Sequence, residues 1–266
     1  MFAIKLGPAG SPVSGTLEGI KKVKELGLHA MEVEFVRGVK MSNELAKEVG
    51  KQAEKLDIEL SVHGPYYINL ASDDRTKIEQ SKKRILDSCE RGHYMGAKHI
   101  VFHAAYYGKR DKEEVYEMVK ESVLDVMNVV EKNKWDVIPS PETTGKISQW
   151  GELDEVIRLV KETGCGICVD FAHIYARNRG VINYREILDK LSRLGRKKLH
   201  CHFSNITYTL KGERMHLNLD GKPPFEPLAR EILKRKISAT IISESPVTWK
   251  DSLKMKRIFE KLGYRF

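Results

Sequence analysis

No apolar run in these 266 residues approaches the roughly 20 residues that a membrane-spanning helix requires, so a membrane partner is not expected. The first fifteen residues, MFAIKLGPAGSPVSG, carry one lysine and a short apolar stretch. They lack the basic start and long apolar segment of a secretory signal, and the expectation is a cytoplasmic protein. Cysteine is scarce, with only Cys89, Cys165, Cys168 and Cys201. That excludes a disulfide-built scaffold, and no structural disulfide is expected in the cytoplasm. Cys165 and Cys168 form a CxxC, but no second CxxC exists to complete a zinc ribbon. They fall at the start of an apolar run and read as small buried hydrophobes. No linker or low-complexity stretch interrupts the chain, which reads as one domain over 1–266. Acids are outnumbered, 37 Asp+Glu against 46 Lys+Arg, for a net charge of +9. A basic balance suits a polyanionic partner, although a solvated lysine-rich surface would look the same.

The chain alternates short apolar runs with longer amphipathic segments, the pattern of a parallel α/β protein. Eight runs read as strands: Phe2–Leu6, Ala30–Phe35, Glu59–Val62, His99–Phe102, Asp136–Ser140, Gly166–Asp170, Lys198–Phe203 and Ala239–Ser243. The clearest helix is Lys112–Val130, with Val115, Met118, Val119, Val123, Val126, Met127 and Val130 on one face. Gly27, Gly96 and Gly164 stand where helices should end. Eight βα units in a chain of this length predict one (β/α)8 TIM barrel; an open doubly wound sheet is the runner-up.

The residues just after the predicted strands carry the chemistry. His63 follows the third, His103 the fourth and Glu142 the fifth. Asp170 ends the sixth with His173 just beyond; His202 lies on the seventh; Glu244 follows the eighth. The loop after the seventh strand contains Glu213, Arg214 and His216. In a barrel these all reach the C-terminal mouth, where active sites sit. Imidazoles and carboxylates are the usual ligands of zinc and related ions, and Glu142, Asp170 and Glu244 could each bridge two ions. Three acids in one mouth would repel one another without cations, and cations there would activate water. A lone histidine at a strand end is usually structural, but five of nine histidines gather here. His29 and His99 read as strand starts away from the site, and His93 as a helical residue, either structural or exposed. His200 shares a strand face with His202, as a supporting partner or as core packing.

These motifs resemble the endonuclease IV family of apurinic/apyrimidinic (AP) endonucleases, within the xylose-isomerase-like barrels. The match runs from the second strand to the eighth. It is carried by His63-Gly64-Pro65-Tyr66-Tyr67-Ile68-Asn69-Leu70, Phe102-His103, Asp170-Phe171-Ala172-His173 and Glu244-Ser245-Pro246. The resemblance implies a DNA repair enzyme acting as a monomer on double-stranded DNA that contains abasic sites. A metal-activated hydroxide would cleave the phosphodiester 5′ to the lesion, leaving a 3′-hydroxyl and a 5′-deoxyribose phosphate. It implies two or three Zn2+ ions, with Mn2+ or Fe2+ as substitutes. One would be held by His63, His103 and Glu142, a second by Glu142, Asp170, His202 and Glu244, and a third by His173 and His216. Tyr66 would insert at the lesion, and Arg37 matches the place of a DNA-inserting arginine. Without the resemblance, Tyr66 reads equally as rim packing and Arg37 as surface charge. Lys40, Lys109, Arg110 and Lys211 fall in predicted loops at the same end and suit phosphate contacts.

Three departures stand out. Arg214 occupies the position of a family aspartate, so Glu213 is the candidate third-ion ligand in its place. The segment around Glu142, Pro139-Ser140-Pro141-Glu142, is richer in proline than the family pattern, and His202 is followed by Phe-Ser-Asn. A sugar isomerase or epimerase on the same barrel, and a non-catalytic nucleic-acid-binding relative, stay open as alternatives.

Overall fold

The structure, a computed structural model, describes residues 2–266. Eight parallel strands form its centre: β1 (Ile4–Pro8), β2 (Ala30–Glu34), β3 (Glu59–His63), β4 (His99–Phe102), β5 (Ile138–Pro141), β6 (Val169–Asp170), β7 (Lys198–Phe203) and β10 (Ser238–Ser243). Between β7 and the last helical unit lies an antiparallel hairpin of β8 (Asn205–Thr209) and β9 (Gly212–Leu217). The helices are α1 (Thr16–Glu25), α2 (Asn43–Leu56), α3 (Arg75–Met95), α4 (Lys112–Lys132), α5 (Leu153–Thr163), α6 (Phe171–Arg177), α7 (Tyr184–Ser192), α8 (Phe225–Arg235) and α9 (Thr248–Lys261).

Two four-stranded sheets, β1-β10-β7-β6 and β2-β3-β4-β5, are joined at both seams. At the first, His29 N donates to Leu6 O and Gly10 N to Glu32 O, both at 2.9 Å. At the second, Cys168 N donates to Pro141 O and Thr143 N to Cys168 O, both at 3.1 Å. The ring therefore closes into a TIM barrel, and the open-sheet alternative is excluded.

The second seam explains why β6 is shorter than the predicted Gly166–Asp170. Pro139 and Pro141 of β5 accept from Gly166 N and Cys168 N across it. Neither proline has an N–H to return, so half of the ladder is missing until Thr143. The helices follow their sequence signals. On α4, Val115, Val119, Val123, Val126 and Val130 are buried, each contributing about 1.5–3 kcal/mol. Asp111 caps that helix, its carboxylate accepting from Glu113 N at 2.8 Å. Gly96 ends α3 and Gly164 ends α5 in the left-handed conformation, and Gly27 adopts it just past α1.

The segment expected as a long loop after β7 is the β8–β9 hairpin, and it carries an irregularity at Arg214. Thr207 pairs with Met215 and Tyr208 with Glu213, so Arg214 is the extra residue of a β-bulge. A bulge restores alternation around the residue that it expels. Glu213 and His216, three apart in sequence, consequently face the same side, and Arg214 is exposed to solvent.

Candidate metal centre

The C-terminal mouth gathers donors from successive strands. His63 ends β3, His103 follows β4, Glu142 follows β5 and Asp170 ends β6. His202 lies on β7 and Glu244 follows β10. His173 is the third residue of α6, held there because Asp170 caps that helix: Asp170 Oδ1 accepts from His173 N at 2.6 Å. That leaves Asp170 Oδ2 facing the mouth without a hydrogen bond.

Glu142 sits at the centre and is fully buried. Its Oε2 lies 2.9 Å from His103 Nε2 and 3.3 Å from His63 Nε2. Its Oε1 lies 3.2 Å from His173 Nδ1 and 3.3 Å from His202 Nδ1. One carboxylate thus addresses two donor sets with its two oxygens. Asp170, His202 and Glu244 complete the second set, with His202 Nδ1 3.1 Å from Glu244 Oε1. His173 and His216 form a third set with Asp170 and Glu244. Glu213 lies beside that set, its Oε2 3.5 Å from His173 Nε2.

The hairpin is held against the loop after β5 by glycine. Gly212 pairs with Lys146, and Glu213 N donates to Gly145 O at 3.0 Å. A Cβ on Gly145 would sit 2.6 Å from Glu213 Cβ and 2.8 Å from its Oε2. Gly145 is what lets Glu213 reach His173.

The donor set fits divalent ions by distance and by tautomer. Zinc–nitrogen bonds of about 2.0–2.1 Å at a tetrahedral angle set two donors about 3.3–3.4 Å apart. His173 Nε2 and His216 Nε2 are 3.3 Å apart. The far nitrogens have their own partners: His173 Nδ1 meets Thr143 O at 3.0 Å, and His216 Nδ1 meets Ser204 Oγ at 2.7 Å. His63 Nδ1 meets Gly64 O at 2.8 Å, which turns Nε2 inward. A backbone carbonyl behind a ligating imidazole is the arrangement that orients it for a metal. Glu142 Oε1, Asp170 Oδ2 and His202 Nδ1 are buried without hydrogen-bond partners among the described residues. Buried polar atoms are normally satisfied, and these three residues lie together in the second donor set.

The electrostatics agree. Burial pushes the Asp170 carboxyl up to about 8, reinforced by the charges of Glu244 and Glu142. Burial would lower His63, but its hydrogen bond to Glu142 and the neighbouring carboxylates lift it to about 10. Burial would raise Glu142, but the charges of His103 and His202 hold it well below the usual carboxylate range. Without ions, the cluster balances itself by holding protons.

Two carboxylates of the mouth escape a reading of strand ends. Glu32 and Glu34 both lie on β2, Glu32 fully buried and Glu34 with a buried Oε1 that lacks a partner. Burial first, and Glu32 and Glu244 after it, push Glu34 up to about 8 against the opposing charge of His63. The signal was present: a strand buried on both faces should be apolar throughout, and Ala-Met-Glu-Val-Glu is not. Cys168, also buried, lies with His200 and His202 in a further donor group. His29 stacks on Phe266 and His93 accepts from Asp136 N, so both lie in structural roles. His99 stacks on His200 at 4.5 Å.

The rim is open and aromatic. Tyr66 and Tyr67 are 59% and 66% exposed on the loop after β3, with Tyr106 and Tyr208 exposed beyond them. Tyr66 N donates to Val36 O at 3.3 Å, which sets the loop bearing exposed Arg37 beside it. Lys40, Lys109 and Lys211 are exposed. Arg110 differs from the expectation of a free phosphate contact: its guanidinium pairs with Asp73 at 2.7 Å and with Glu114.

A model of the xylose isomerase-like TIM barrel family matches residues 20–259. The chain belongs to that family. An uncharacterized protein of Methanocaldococcus jannaschii is 37% identical over 267 residues, covering 96% of this chain and 97% of its own. A protein named probable endonuclease 4 from Mycoplasmoides gallisepticum is 29% identical over 197 residues, 70% of this chain and 64% of that one. Among solved structures, endonuclease IV from Thermus thermophilus superposes with a TM-score of 0.76 at 20% identity, covering 97% of this chain and 98% of that one. A D-tagatose 3-epimerase-like protein gives 0.77 at 19% identity, covering 97% and 96%. The family is therefore established, and its relatives support an endonuclease-like enzyme. The barrel by itself is shared by both chemistries, so the choice between them rests on the donor set.

Proposed function

We propose that this protein is a metal-dependent endonuclease of the endonuclease IV type, cleaving DNA on the 5′ side of an abasic site. The observation that carries the reading is the third donor set. His173 Nε2 and His216 Nε2 face each other at tetrahedral-edge distance, with Glu213 brought alongside by the hairpin bulge. A single-sugar pocket has no need of this third set.

His63, His103 and Glu142 would hold one ion; Glu142, Asp170, His202 and Glu244 a second; His173, His216 and Glu213 a third, beside Asp170. Zn2+ suits the imidazole-carboxylate set, and Mn2+ or Fe2+ would also be accepted. Such ions supply an activated water at neutral pH and neutralise charge on a phosphodiester and its leaving oxygen. The chain does the rest. Glu142 ties the first two sets together through its two oxygens. Thr143 O and Gly64 O fix the ring orientations of His173 and His63. Tyr66, exposed and 6.2 Å from the His63 ring, offers an aromatic face to the gap left by a missing base. Arg37 and the exposed lysines reach for backbone phosphates. An abasic nucleotide costs less to unstack than a paired one, which favours it at the mouth. The single-domain, monomeric and cytoplasmic expectations accompany this reading.

The test is incision of a duplex carrying one abasic-site analogue, by protein whose bound metal has been counted. Incision 5′ to the lesion supports the proposal. Turnover of a ketose in place of DNA would move the assignment to an epimerase.

A further inference from the structure

Inside the barrel, next to the ligand cluster, lies a polar group that the proposed chemistry leaves without a task. Glu32 reaches the barrel interior from β2 and is fully buried. Its Oε2 accepts from Ser61 Oγ at 2.7 Å and lies 3.3 Å from His200 Nε2. Its Oε1 lies 2.9 Å from His202 Nε2. His200 and His202 are two residues apart on β7 and so share the inward face. A buried carboxylate is costly unless it is paired, so its place between two imidazoles is a structural commitment.

The consequence falls on His202. Nε2 is the ring nitrogen nearest Glu32, and although the contact is off the line of a hydrogen bond, an anionic oxygen at 2.9 Å repels a lone pair and favours a proton there. In a neutral ring the lone pair is then on Nδ1. That atom lies 3.3 Å from Glu142 Oε1 and 3.1 Å from Glu244 Oε1, on the side of the donor cluster. We infer that Glu32 is a positioning residue: it fixes His202 as the Nε2–H tautomer and presents Nδ1 to the ion shared with Glu142, Asp170 and Glu244. The inference rests on the metal-centre reading above. It assigns to β2 a part in the site that no strand-end ligand supplies. The carboxylate also makes the imidazole a stronger donor, as an anionic partner behind a ligating histidine does.

The direct test needs no change to Glu32. In zinc-loaded protein with 15N-labelled histidine, long-range proton–nitrogen spectra report which ring nitrogen of His202 carries hydrogen, with signals assigned through His202→Asn. The expected result is Nε2–H with Nδ1 shifted by metal. A ring protonated on Nδ1 overturns the inference. A chelator-competition titration of Glu32→Gln is the second arm. Glu32→Gln should weaken the ion at His202 by about 10–100-fold and spare the ion at His63 and His103. Glu32→Asp, which keeps the charge, should recover part of the loss. Unchanged affinity for every ion in Glu32→Gln would refute the role. Wild-type protein that binds no ion would overturn the metal reading and this inference together, whereas ions bound with the other His202 tautomer would overturn this one alone.

Discussion

Replacing Gly145 by alanine tests whether the hairpin delivers a ligand. The new methyl carbon would lie 2.6 Å from Glu213 Cβ, 2.8 Å from Glu213 Oε2 and 3.0 Å from His173 Cδ2. Carbon atoms approach to about 3.5–4.0 Å, so Glu213 must retreat by about 0.9 Å or more. Metal–ligand distances tolerate about 0.2 Å, so the displacement takes Glu213 out of bonding range. Gly145 is not among the glycines with positive φ, so alanine does not strain its own backbone. The effect is therefore steric and local, with an overpacking cost of roughly 1–3 kcal/mol. The assay is metal content and affinity by competition, with a thermal melt as the check on folding. Gly145→Ala should lose the ion at His173 and His216, or bind it about 10–100-fold more weakly, while the other two stay. Gly221→Ala is the control, because its nearest neighbour would be Asn205 Oδ1 at 3.6 Å. Full retention of three ions at wild-type affinity in Gly145→Ala would refute Glu213 as a ligand.

Other outcomes depend on the same geometry. Glu142→Gln removes the charge shared by four imidazoles; metal content should drop and incision should fall by roughly 100-fold or more, with circular dichroism unchanged. Arg214→Ala, at the expelled bulge position, should leave ion stoichiometry unchanged; loss of an ion would contradict the bulge account. Ion-free protein should lose stability as pH rises: Asp170 prefers its proton up to about 8, against an ordinary value near 3.8, and His63 up to about 10, against 6.5. Below about pH 6.5 His29, His99 and His216, held low by burial, pull the other way; from about pH 6.5 to 10 Asp170 and His63 are more protonated folded than unfolded, so stability falls there, whereas metal affinity rises as protons leave. Melting curves with and without zinc across that range read both trends, and a pH-independent ion-free melt would contradict them. Binding to abasic duplex should weaken steeply with salt, on the order of 10³-fold between about 50 and 200 mM for about six phosphate contacts. A flat response would point to a small neutral substrate.

Much of the barrel is legible in the sequence because period and chemistry coincide at strand ends. His63, His103, Glu142, Asp170, His202 and Glu244 each stand at or near the C-terminal end of a central strand, and the fold brings those ends together. Glu32 lies within β2 and Glu34 at its last residue, both inside the predicted Ala30–Phe35 run, so only the polar break in a strand that should be apolar marks them, and only the inward face of a closed barrel gives that break a use. The hairpin is hidden because its strands are polar and partly exposed, so no apolar alternation announces them. That Arg214 is turned out by a bulge is hidden because sequence spacing cannot reveal one. The short β6 comes from two prolines on its neighbour, a property of the pair and not of the Gly166–Asp170 run itself.

The central claim is that the three donor sets hold ions and cut DNA beside a missing base. Incision of a single-lesion duplex by protein of known metal content tests it most directly. The account predicts close to three ions per chain and a cut on the 5′ side, abolished by chelation and restored by zinc. Ions bound without incision, alongside turnover of a sugar, would contradict it.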